Sequence, residues 1–191
     1  MSSLPNVLLL GDSIRMSYQP NVSDLLAGHA TVTGPSDNCQ YSLFTLSSLD
    51  RWINDLGKPD IVHWNNGLHD CGHNPGRNPI QIPVDMYGAN LSFILGRLKF
   101  LTPNVIWATN TPVHSDRPFS DSQWSWRNDE IDAYNSAGRQ IMDGGNVHIN
   151  DLHTLVKSNV STYLSEDQLH LSAEGQAACA RAVAEQVSAF I

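Results

Sequence analysis

A chain of 191 residues with 41% apolar and only 16% charged residues has the composition of a folded domain rather than a disordered segment. Its length suits one domain, 1–191, whose core needs neither disulfides nor a structural metal. The formal charge of −8, with no dense Lys/Arg cluster, argues against nucleic acid and against anionic lipid surfaces as partners. The start, Met1-Ser2-Ser3-Leu4-Pro5, has neither a basic segment nor an apolar helix, and the longest apolar runs are strand-sized. No membrane association is therefore expected, and the chain is expected to be cytoplasmic, or secreted with its signal peptide absent from this sequence. Cys39, Cys71 and Cys179 are odd in number and lack metal-type spacing, which favours reduced thiols. A bond between Cys39 and Cys71, both in loops expected near the site, stays open.

In chain order, short β-rich runs alternate with longer segments of helical period. Strands are predicted over Asn6 to Leu10, Ala30 to Thr33, Asp60 to Trp64, Asn104 to Thr109 and Val147 to Asn150. Helices are predicted over Ser17 to Ala27, Ser42 to Leu56, Pro83 to Leu101, Asp129 to Met142 and Ala173 to Phe190. In the last of these, Ala180, Val183, Ala184, Val187 and Ile191 recur at helical spacing behind an N-cap at Ser172. This alternation predicts an α/β fold: a three-layer α/β/α sandwich around a five-stranded, mostly parallel sheet. No repeat or interdomain linker interrupts it. Two connections, Asn65 to Ile82 and Asn110 to Ser125, are long and rich in Pro, Gly, Asn and Asp. Open α/β sheets bind ligands beyond the carboxyl ends of their strands, where both loops should converge.

The apolar run Val7-Leu8-Leu9-Leu10 breaks into Gly11-Asp12-Ser13, which predicts a tight strand-to-helix turn with the Ser13 hydroxyl exposed. The N–H groups that open the following helix would face a developing oxyanion. Gly-Asp-Ser is also a common capping turn, so the reading needs partners. Asp167 and His170, three residues apart near the other end of the chain, supply them: a base for Ser13 and a carboxylate that fixes its tautomer. Asn65 and Asn66 follow a buried strand at the same sheet edge. An Asn amide there can donate to an oxyanion, or merely satisfy loop carbonyls; together with Ser13 and the Asp167/His170 pair the first reading is preferred.

Taken together, Gly11-Asp12-Ser13-Ile14, His63-Trp64-Asn65-Asn66 and Asp167-Gln168-Leu169-His170-Leu171-Ser172 resemble the first, third and last blocks of the SGNH hydrolases, also called GDSL esterases and lipases. In order and spacing the resemblance covers nearly the whole chain. It implies a flavodoxin-like sheet, with Ser13 as nucleophile, His170 as base and then acid, and Asp167 as its orienter. It places Asn65 with the Ser13 N–H in the oxyanion hole. No cofactor is implied. Two blocks depart from the pattern. His63 replaces the Gly of the third, and the second, Ser36-Asp37-Asn38-Cys39-Gln40, has no Gly to supply the remaining oxyanion donor. Alignment from the following helix puts Cys39 at that position, with Gly34 and Asn38 as alternatives.

His69, Asp70, Cys71 and His73 crowd one loop like metal ligands, but no second pair has a recognised spacing, and they read as pocket lining with no metal. Asn66, His69, Trp124 and Trp126 are the candidate substrate contacts, the two loop tryptophans as flat faces for a sugar ring. A strand Trp such as Trp107 belongs in the core. Arg15 reads as a surface or loop-bracing residue, or one that meets an anionic substrate. The expected activity is a serine esterase that removes short acyl groups, above all acetyl, from a small ester or an acetylated oligosaccharide. The alternatives are a lysophospholipase or thioesterase of the same fold, or a catalytically silent carbohydrate-binding protein. Oligomeric state cannot be read from the sequence.

Overall fold

The computed structural model describes residues 4–74, 80–118 and 124–191. The first three residues and the stretches 75–79 and 119–123 of the two long loops lie outside the described residues. Five strands form one sheet in the order β2-β1-β3-β4-β5. They are β1 (Asn6–Leu10), β2 (Thr31–Thr33), β3 (Ile61–Trp64), β4 (Val105–Ala108) and β5 (His148–Asn150), and every neighbouring pair is parallel.

Position in the sheet follows composition. The central strands β3 and β4 read Ile-Val-His-Trp and Val-Ile-Trp-Ala and are buried throughout, as a parallel sheet covered on both faces requires. The edge strands, Thr-Val-Thr and His-Ile-Asn, keep polar residues and partial exposure, which blunts further pairing.

Among the described residues the helices are α1 (Ser13–Leu25), α2 (Ser42–Leu56), α3 (Leu68–Cys71), α4 (Val84–Leu101), α5 (Asn128–Gly144), α6 (Leu152–Lys157), α7 (Val160–Tyr163) and α8 (Ala173–Ser188). α1 packs on α8, which also carries α6 and α7, while α4 packs between α2 and α5. The three layers meet around Trp64, Trp107, Tyr18 and Tyr87, the largest fully buried side chains. No helix among the described residues is long and apolar enough to cross a membrane.

Two departures from the sequence reading have local causes. α1 begins at Ser13, not Ser17, because the Asp12 carboxylate caps it by accepting the Ile14 N–H at 2.9 Å. The short helices α3, α6 and α7 were not expected, since four to six residues are too few for a periodic signal.

β1 has β2 on one side and β3 on the other, so successive connections leave it in opposite directions. A crevice opens at the carboxyl end of such a strand. Gly11-Asp12-Ser13 leaves β1 at that point, beside the end of β3, where the Asn65 N–H donates to the Leu10 carbonyl at 3.0 Å.

Candidate active site

The turn after β1 presents Ser13 at the first residue of α1, where its own N–H has no acceptor within the helix. Gly11 is required by a close approach: a Cβ there would lie 2.7 Å from the Arg15 Cβ. Residues 165–170 form a small hairpin closed by the Leu164↔Leu171 bridge, with the Ser165 N–H donating to the His170 carbonyl at 2.7 Å. Ser172 then caps α8, accepting the Gly175 N–H at 3.0 Å. On this hairpin His170 Nε2 lies 3.1 Å from Ser13 Oγ, across 157 positions of sequence.

Behind the imidazole, Asp167 Oδ2 is 2.7 Å from His170 Nδ1, while Oδ1 accepts the N–H groups of His170 at 2.7 Å and Leu169 at 2.9 Å. Burial alone would push this carboxyl up. The bonds from the His170 ring and from the His170 and Leu169 N–H groups outweigh it and hold Asp167 below the ordinary carboxylate range. An ionised Asp167 takes the Nδ1 proton as its hydrogen-bond donor, leaving Nε2 as the acceptor for the serine hydroxyl.

The pocket beside Ser13 and His170 is lined also by Asn38, His69, Trp124, Trp126 and Leu169, and has a volume of ≈ 250 Å³. Trp124 and Trp126 stack nearly parallel, 13° between planes and 5.8 Å between centroids. The Trp126 N–H donates to the Leu68 carbonyl at 2.6 Å, and the His69 ring meets Trp124 edge-on. Burial lowers the His69 pKa, partly opposed by the charge of Asp12 and reinforced by His170, so the ring enters the pocket as neutral imidazole. A backbone bridge between His73 and Ser125 ties the two long loops together beneath this wall.

Other predicted site residues are placed differently. The N–H of Cys39, aligned with the missing glycine of the second block, donates to the Gly11 carbonyl at 3.2 Å, and its side chain is fully buried. It cannot serve an oxyanion. Among the described residues the neighbouring Asn38 N–H has no acceptor, and Asn38 lines the pocket, whereas Gly34 faces Gln19 and Arg15 elsewhere. Asn66 is no substrate contact either. Its side chain accepts from the Trp64 indole at 2.7 Å and donates to the Gln40 carbonyl at 3.0 Å and to Thr45 Oγ1 at 2.9 Å, all within the interior.

Asn65 donates to the Ala108 carbonyl at 2.7 Å and to Asn110 Oδ1 at 3.2 Å. Asn110 is held in turn by Asn135, whose amide reaches His153. This buried amide relay escaped the sequence reading, although the polar run Thr109-Asn110-Thr111 directly after a buried strand is its trace. The crowded loop disperses: Asp70 accepts from the Ser42 N–H and hydroxyl, His73 pairs with Glu130 at 2.6 Å, and Cys71 packs in the core. Among the described residues no three His, Cys, Asp or Glu side chains cluster as metal ligands, and all three cysteines are free and buried. Arg15 is not on the surface; as the loop-bracing reading expected, it holds the 35–37 segment. It is buried at 3% exposure among main-chain carbonyls.

The sequence pattern of the GDSL-like lipase/acylhydrolase family matches residues 9–178, and the chain belongs to that family, which makes it a carboxylic ester hydrolase. Its fold is shared with the lipase/acylhydrolase from Enterococcus faecalis, at 18% identity over 97% of this chain and 96% of that one, TM-score 0.76. The acetyl xylan esterase AlAXEase is similar at 18% identity over 97% and 100% of the two chains, TM-score 0.78. So is the acetylxylan esterase Axe2 from Geobacillus stearothermophilus, at 19% identity over 97% and 95%, TM-score 0.78. No curated protein sequence matches the chain significantly.

Proposed function

We propose that this protein is a serine esterase that releases acetyl groups from hydroxylated carbohydrates through an acyl-enzyme. The observation that carries the reading is the continuous relay Ser13 Oγ, His170, Asp167, at 3.1 and 2.7 Å, opening on a small pocket. Ser13 Oγ attacks the ester carbonyl while His170 Nε2 takes its proton, and Asp167 stabilises the imidazolium. His170 then gives that proton to the departing sugar oxygen. Water repeats the cycle on the acyl-serine, with His170 again as base, and releases acetate.

The N–H groups of Ser13 and Asn38 are the two main-chain donors for the oxyanion. Asn65 is the side-chain donor: at rest its amide hydrogens go to the Ala108 carbonyl at 2.7 Å and to Asn110 Oδ1 at 3.2 Å, and the longer of these two bonds is the one exchanged for the oxyanion. A pocket of ≈ 250 Å³ is below the usual range for drug-sized ligands and suits a short acyl group. The partly exposed Trp124 indole beside it, backed by the buried Trp126, suits the apolar face of a sugar ring. Acetyl xylan esterases among the proteins of like fold agree with this choice of substrate.

The test is acetate release from acetylated xylan, measured beside acyl release from a lysophospholipid and a nitrophenyl ester series of increasing chain length. Acetate release with activity falling beyond short chains is expected. Activity peaking at long chains would overturn the acetyl assignment. A wild-type protein that neither hydrolyses any ester nor reacts with a fluorophosphonate at Ser13 would overturn the enzyme itself.

A further inference from the structure

Arg15 lies two residues past the nucleophile with its guanidinium enclosed by protein, and all its recorded partners are acceptors. Nε and Nη2 reach the Gly11 carbonyl at 3.4 and 3.3 Å. Nη1 donates to the Pro35 carbonyl at 3.1 Å and to Gln19 Oε1 at 2.7 Å. Nη2 donates to the Asp37 carbonyl at 3.1 Å and approaches Cys39 Sγ at 3.8 Å. One planar fork thus ties the turn that carries Ser13 to the loop that carries Asn38. Only a guanidinium can do so, because its donors diverge in a fixed plane, whereas an ammonium is a compact point charge.

The contact to Asp37 has a directional consequence. The Asp37 carbonyl and the Asn38 N–H belong to the same peptide group, and among the described residues no peptide bond is cis. In a trans peptide, C=O and N–H point in opposite directions. Holding the carbonyl inward on Arg15 therefore turns the Asn38 N–H outward, and Asn38 is the residue of this loop that lines the pocket with Ser13. On the far side of the next residue the Cys39 N–H is anchored to Gly11, the carbonyl Arg15 also grips. The peptide is fixed from both ends, and a full positive charge sits behind its carbonyl.

We propose that Arg15 is a positioning residue that presets the oxyanion hole by orienting the Asp37–Asn38 peptide. The inference rests on the esterase reading above and adds to it the means by which a block without its usual glycine keeps a donor in place. Because the oxyanion exists only after attack, loss of the fork should lower kcat and leave KM nearly unchanged.

Arg15→Lys, Arg15→Met and Gln19→Leu test it, with thermal melting of each, on nitrophenyl acetate and with a phenylboronic acid as tetrahedral mimic. The Arg15 variants are expected to lose about 10- to 100-fold in kcat, less than the loss of a whole oxyanion donor, with KM within about threefold. Boronate affinity should fall in the same proportion, and Lys should rescue little despite its charge. Gln19→Leu, which removes one of the two acceptors of Nη1 at a half-buried position and leaves the Pro35 carbonyl, should lose about threefold in kcat with its melting temperature kept, and it decides the matter if the Arg15 variants do not fold. Folded variants with wild-type kcat and boronate affinity, or a loss confined to KM, would overturn the proposal. If instead the wild type fails on the ester while Ser13→Ala is no different from it, the esterase reading falls; a wild type that works and a Ser13→Ala that does not leaves Arg15 alone in question.

Discussion

Two loops meet at Ser13, and each is strapped by an arginine to main-chain carbonyls, but under different conditions. On one side the buried Arg15 holds residues 35–39 to the nucleophile turn. On the other, the half-buried Arg117 donates to the carbonyls of Leu164 at 3.0 Å, Ser161 at 3.2 Å and Ser165, bracing the hairpin that carries Asp167 and His170. The His114 N–H adds a bond to the Gln168 carbonyl at 2.9 Å. The hairpin has further supports, including its own bridge and the three bonds to Asp167, whereas the 35–39 loop has no strand of its own. Backbone that must aim an N–H is set by an interior cation; backbone that carries a side chain already tethered by its neighbour needs less.

The largest effect should come from breaking the tethered side at its source. Asp167→Asn keeps the size of the side chain but no longer fixes the tautomer of His170, and kcat should fall by about 10³- to 10⁴-fold with Ser13 still present, measured on nitrophenyl acetate. Next comes the indole wall. Gly72 lies beneath it, and a Cβ there would stand 2.9 Å from Trp124 Cζ3 and 3.0 Å from Trp126 Nε1. Gly72→Ala should push the wall toward the pocket, and Trp124→Ala should remove a face. Both are expected to raise KM on acetylated xylo-oligosaccharides about tenfold while leaving kcat on nitrophenyl acetate within about threefold, and equal losses on both substrates would count against a sugar-facing wall. Arg117→Ala, acting on a loop with redundant supports, should cost only about threefold in kcat; a loss as large as that of Arg15→Met would erase the contrast between the two straps.

A separate effect concerns stability against pH. Burial lowers the pKa of His63 to about 4 and raises that of Asp70 to about 7, against ordinary values of 6.5 and 3.8. The neutral His63 contributes stability above 6.5 that is lost as pH falls through 4, about 3 kcal/mol in all. Asp70 has the opposite sign: its contribution is present below 3.8 and lost as pH rises through 7. Between pH 4.5 and 6.5 the two nearly offset. Urea unfolding of Asp70→Asn should therefore show stability rising with pH across that window relative to the wild type, and His63→Gln should show it falling. Parallel profiles for all three proteins would mean that both groups titrate normally.

Much of this was legible before the fold was known, for reasons that differ by residue. Strands β1, β3 and β4 are mostly apolar runs because both their faces are covered, and such runs are readable. Asp167 and His170 were legible because two groups that must touch lie only three positions apart. For Cys39 and Asn38 the sequence locates the loop, but which of the two adjacent N–H groups is free depends on the Gly11 carbonyl taking that of Cys39. Asn66 looked like Asn65 in sequence, and only the tertiary structure gives them separate partners, Trp64 and Thr45 for Asn66 and Ala108 and Asn110 for Asn65. Trp124 and Trp126 were read from their polar loop as candidate faces for a sugar ring, while their stacking against Gly72 of another loop is a tertiary feature.

Residue chemistry by itself determined the layered α/β fold, the serine, the acid and the imidazole, because hydrophobic period and short-range spacing are properties of the chain alone. The tertiary structure decided which backbone N–H faces the pocket, which asparagines are structural, and that Arg15 is interior. Those outcomes turn on which carbonyl from a distant segment arrives to accept each donor, and that is fixed only when the sheet brings the segments together.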